Sequence, residues 1–106
     1  MVTSTETQED LFWNTCFKQE DHVVTREIVG ETILVPIRGK LADMQRIFTL
    51  NDVGAYIWNQ LDGRIGLENI CRGIVTEFDV FREQAKNDLN EFISELLEAE
   101  LIVGDG

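Results

Sequence analysis

The 106-residue chain has one histidine, one proline, two cysteines and nine basic residues against twenty acidic ones, for a net charge of −11. Each shortage excludes something. His22 has no second histidine or cysteine at metal-ligand spacing, so a zinc site is not expected and His22 is read as a structural or surface residue. Cys16 and Cys71 lie far apart and form no CxxC pair, which sets no disulfide framework. Cys71 is read as a small apolar residue on a helix face. No glycine-rich phosphate loop and no GxSxG elbow occurs. No nucleophile, base and orienting group can be named together, so neither catalysis nor a cofactor is expected. The scarcity of Lys and Arg argues against nucleic acid as the main partner, because phosphate binding rests on clustered bases. No apolar run approaches the roughly 20 residues that cross a bilayer. The opening MVTSTETQED is polar and acidic, the reverse of a signal peptide. The expectation is a cytoplasmic protein with no membrane partner.

What is present is enough apolar material, 43% of the chain, for one core. Residues 1–21 are expected as a flexible or partly ordered N-terminal segment. Its Leu11-Phe12-Trp13 run caps the core, in preference to pairing as a strand or touching a partner. Residues 22–35 read as a hairpin: β-branched runs flank a turn at Gly30-Glu31, and Pro36 marks the strand's end. Residues 37–44 read as a loop. A third strand follows over Gln45 to Leu50, with Arg46, Phe48 and Leu50 on one face and Gln45, Ile47 and Thr49 on the other.

From Asn51, a good N-cap, the period becomes helical. Three helices are predicted: Asn51 to Leu61, stopped at Asp62-Gly63; Leu67 to Phe78, which carries Gly73 at a cost of about 1 kcal/mol against Ala; and Arg82 to Glu100. Leu101-Ile102-Val103 reads as a short closing strand. Strands followed by helices argue for an α+β fold, a small antiparallel sheet of two to three strands and then three helices, like a winged helix-turn-helix. On the last helix, Asp88, Glu91, Glu95 and Glu98 share one narrow face, read as a solvated acidic stripe. Arg82, Lys86 and Asn90 run along the other flank, beside Leu89, Ile93 and Leu97. That basic edge could orient an acidic, amphipathic peptide, or its charges could pair locally in water; charge alone does not choose.

The stretch RIFTLNDVGAYIWNQLDG, with LENICRGIVTEFDV, DLNEFISELLEAELI and the upstream VVTREIVGETILVPI, resembles the PqqD-like family over residues 22–103. The chain departs from the family's pattern at Glu100, where a glycine is usual, and at Phe81, where a small polar cap is common. The resemblance implies a non-catalytic peptide chaperone. Such a domain would capture the leader of a ribosomally made precursor peptide by strand addition and present it to a modifying enzyme, for example a radical SAM maturase. It implies peptide-binding residues on the strand, Gln45, Arg46, Ile47, Phe48 and Thr49, and on the last helix, Arg82, Lys86, Leu89, Asn90 and Ile93. The alternatives are a winged-helix DNA-binding protein, opposed by charge, and a structural docking subunit. A homodimer through pairing of open strand edges stays open.

Overall fold

The computed structural model describes residues 12–44 and 46–104, with only the backbone of Lys40. The order of elements is β1 (Cys16–Gln19), β2 (Val23–Ile28), β3 (Glu31–Pro36), α1 (Lys40–Asp43), β4 (Phe48–Leu50), α2 (Asp52–Gln60), β5 (Asp62–Gly66), α3 (Leu67–Phe78), α4 (Arg82–Glu98) and β6 (Ile102–Gly104). The fold is α+β. It has two three-stranded antiparallel sheets, ordered β2-β3-β4 and β5-β1-β6, where the sequence suggests one.

The hairpin forms where the β-branched residues predict it. Its turn is Val29-Gly30, one residue earlier than expected: Ile28 pairs with Glu31, and both turn residues have positive φ, 50° and 80°. Two such residues make the primed turn whose twist matches a hairpin. Val29, which is β-branched and 98% exposed, takes that conformation against its own steric preference.

Two strands of the second sheet are absent from the sequence reading. Cys16–Gln19, inside the expected N-terminal segment, is its middle strand. Phe17 is buried, and Phe12 and Trp13 pack on the core as a cap; Leu11 lies outside the described residues. Asp62–Gly66, expected as a helix stop and linker, pairs with it as β5. Ile65 is the one large apolar residue in β5, so no period-2 pattern exists there to read. The expected loop at 37–44 contains the short helix α1.

The helices match their periodicity closely. Asn51 caps α2, its side chain accepting from the Gly54 N–H at 2.7 Å. Trp58, fully buried, donates its indole N–H to the Thr25 hydroxyl at 2.8 Å and ties α2 to the first sheet. The buried face of α3 is Leu67, Ile70, Cys71 and Ile74. Gly73 has a packing reason for its helical cost: a Cβ there would run into the Tyr56 hydroxyl of α2. The Tyr56 ring also meets Phe78 edge-on at 5.6 Å.

α4 buries Ala85, Leu89, Ile93 and Leu96 and ends two residues before the predicted limit. Leu97, expected on the apolar stripe, is 40% exposed. The Glu100 N–H bonds Leu97 O at 3.0 Å and the Leu101 N–H bonds Leu96 O at 2.9 Å, the pattern of a Schellman stop. Glu100 sits at φ 59° in that stop. Its left-handed backbone is what a glycine would adopt freely.

Candidate functional site

Which backbone groups of β4, one of the two edges of the first sheet, face outward follows from hairpin geometry. In a two-residue primed hairpin the closing pair, Ile28 and Glu31, exchanges both backbone hydrogen bonds, and every second residue along β3 then bonds β2. The Ile37 N–H, which donates to His22 O at 2.8 Å, has the same parity. Thr32 and Leu34 therefore face β4, where their partners are Leu50 and Phe48. Thr49 is left with its N–H and C=O aimed away from β3, along the outer edge of the sheet. Its side chain is exposed, while Phe48 and Leu50 are half-buried.

This parity also explains why β4 is shorter than the predicted Gln45–Leu50. The next β3 residue facing β4 is Pro36, which has no N–H to give. The Arg46 N–H instead bonds Leu41 O at 2.9 Å, and its guanidinium lies 5.6 Å from the Phe48 ring centroid.

Alongside this edge runs a groove of about 520 Å³. One wall is Ile47–Leu50, the floor includes Val53 and Ile57 of α2, and the far wall is Asp88, Glu91, Phe92, Glu95 and Leu96 of α4. Leu101 closes it beneath. Among the described residues the ion pairs are Arg38–Asp21, Arg72–Glu68 and Arg82–Glu68, so the three carboxylates of the far wall carry no cationic partner. An extended chain entering here would meet, on one side, a backbone edge that no strand pairs among the described residues and, on the other, an apolar strip with an acidic rim.

The site residues expected from sequence divide sharply. Ile47, Phe48 and Thr49 line the groove; Arg46 flanks it; Gln45 lies outside the described residues. Of the helix residues, none lines it. Leu89 and Ile93 have no exposed surface and belong to the core. Asn90 is exposed beyond the lining, Lys86 places its ammonium 5.4 Å from the Trp13 ring centroid, and Arg82 bonds Glu68 at 2.8 Å. The cause is rotation of α4. The basic flank turns toward α3 and Trp13, and the opposite flank turns to β4. Asp88, Glu91 and Glu95 share one helix face, read from sequence as solvated, but nothing in the sequence says which way that face points.

Away from the groove, the Arg82 hydrogen bond holds the Glu68 carboxyl below its usual range, and the Glu68 carboxylate raises Arg82 in return. Burial pushes the Cys71 thiol up, as suits a residue used for packing. Glu20, Asp21 and His22 bring their ligand atoms within 4.8 Å of one another, but Asp21 already pairs with Arg38 at 3.3 Å. Among the described residues no helix is long and apolar enough to cross a membrane.

The family described as coenzyme PQQ synthesis protein D (PqqD) matches residues 31–102. Two solved structures share the fold. One is TbiB1 in complex with the TbiA(beta) leader peptide, 30% identical, with a TM-score of 0.66, covering 80% of this chain and 93% of that one. The other is lasso peptide synthetase B1 complexed with the leader peptide, 17% identical, with a TM-score of 0.68, covering 82% and 96%. Comparison with curated proteins finds no match.

Proposed function

The chain belongs to the PqqD family, and from that we propose that it is a non-catalytic leader-binding domain. It takes the leader of a ribosomally made precursor peptide as an added strand on β4 and presents the rest of the precursor to a modifying enzyme. The observation that carries the reading is Thr49, whose outward backbone groups lie beside a groove walled by α4. Backbone bonds to that edge would supply affinity, and side chains of the added strand facing α4 would supply register. The likeness to TbiB1, which was solved with a leader peptide bound, supports the same reading. A cytoplasmic setting and a maturase such as a radical SAM enzyme fit it. The DNA-binding alternative loses support, because Arg72 and Arg82 both pair with Glu68.

The test is titration of isotope-labelled protein with a synthetic leader from the precursor encoded beside it, followed by amide shifts. Saturable shifts centred on residues 47–51 and 88–96 are expected. No binding at high micromolar concentration, with those amides unmoved, would overturn the reading.

A further inference from the structure

Resting on that reading, we propose that the strand held in this groove is basic, with Lys or Arg at positions facing α4, next to apolar side chains that cover Phe92. This is the opposite charge to the acidic peptide that Arg82 and Lys86 could orient, one of the two readings that the basic flank leaves open in the sequence.

The charges that line the groove are all acidic. Its lining contains Asp88, Glu91 and Glu95 and no Lys, Arg or His. All three carboxylates are on exposed residues of α4, and none belongs to an ion pair among the described residues. The two bases nominated by sequence are engaged elsewhere, Arg82 with Glu68 and Lys86 over Trp13. The chain as a whole carries −11, so the long-range field has the same sign as the local one. Such a field draws in cationic segments and repels acidic ones.

Geometry adds a spacing. Asp88 to Glu95 is seven residues of helix, about 10 Å at 1.5 Å per residue. Alternate side chains of an extended strand point the same way about 6.7 Å apart. Two helix-facing positions of the added strand therefore fit along the acidic rim. Between its ends lies Phe92, half-buried, with the buried Leu96 below it. Lys and Arg suit such a wall, because their methylene stems can cover apolar surface while the charged head reaches a carboxylate. An acidic residue at the same positions would face three like charges.

A display library of random peptides, panned at low ionic strength on the wild-type protein, tests this. The Asp88→Asn/Glu91→Gln/Glu95→Gln variant and the Thr49→Pro variant are panned in parallel. The wild-type pool is expected to be rich in Lys and Arg, recurring at alternate positions beside apolar residues. A synthetic copy of an enriched peptide should lose about fivefold in affinity on the triple variant, the sum of two exposed pairs of several tenths of a kcal/mol each. It should also weaken as salt shortens the screening length. A pool that depends on Thr49 but carries no basic bias, or one that binds the triple variant equally well, overturns the charge assignment and leaves strand addition standing. A protein that selects no Thr49-dependent peptide at all overturns both.

Discussion

Thr49→Pro separates the two jobs of β4. The Thr49 N–H is not part of the β3–β4 ladder, since the bonding pairs there are Thr32 with Leu50 and Leu34 with Phe48. Proline is tolerated on an edge strand when its missing N–H faces outward, and Phe48 before it is already extended. The far-UV circular dichroism and melting transition should therefore stay close to wild type. Binding should not. The variant loses one backbone hydrogen bond to the added strand, about 0.5–1.5 kcal/mol net, and leaves the peptide's carbonyl buried against a ring, about 1–3 kcal/mol more. Together these weaken the leader's Kd between about tenfold and about two-thousandfold. Thr49→Val, which keeps the N–H, should bind within a few-fold of wild type and controls for the side chain. Calorimetric titration with the same leader peptide measures all three. A folded Thr49→Pro protein that binds like wild type would refute the reasoning, because no strand could then be hydrogen-bonded at that residue.

Three further outcomes concern stability and its coupling to the site. Gly73→Ala should destabilise by about 1–3 kcal/mol in chemical denaturation, despite better helix propensity, because its Cβ collides with Tyr56; adding Tyr56→Phe should restore part of the loss. Glu100→Gly should stabilise by about 0.5–1 kcal/mol, because it relieves a left-handed backbone at the Schellman stop while making the unfolded chain somewhat freer. Glu68 is held below its unfolded pKa mainly by the Arg82 hydrogen bond, so the pair stabilises above the usual carboxylate range and fades as pH falls through the lowered value. Arg82→Gln should accordingly flatten the acid limb of the stability–pH curve and leave leader affinity unchanged.

The parts of the fold that carry a strong local period were legible in the sequence. α3 begins and ends where its apolar stripe does, and Asn51 caps α2 as its side chain suggests. β1 and β5 were not legible, because a four-residue strand and a strand with one large apolar side chain have no period; only pairing with β6 and with each other makes them strands. The site divides along the same line. Ile47, Phe48 and Thr49 are nominated by the family resemblance, and they fall beside the groove because strand alternation, which orders them, is local. The helix wall could not, because a helical wheel orders residues around an axis and says nothing of that axis's rotation against a sheet. Leu89 and Ile93 are the informative case: truncating either to Ala should cost about 2–5 kcal/mol of stability and would mimic a binding defect through unfolding.

Hydrogen exchange at one amide tests strand addition most directly. In the free protein the Thr49 N–H should exchange rapidly while its ladder neighbours Phe48 and Leu50 exchange slowly. On saturation with leader peptide, Thr49 should become as protected as they are. A Thr49 amide that stays fast in a fully occupied complex would mean that the leader binds without joining this sheet.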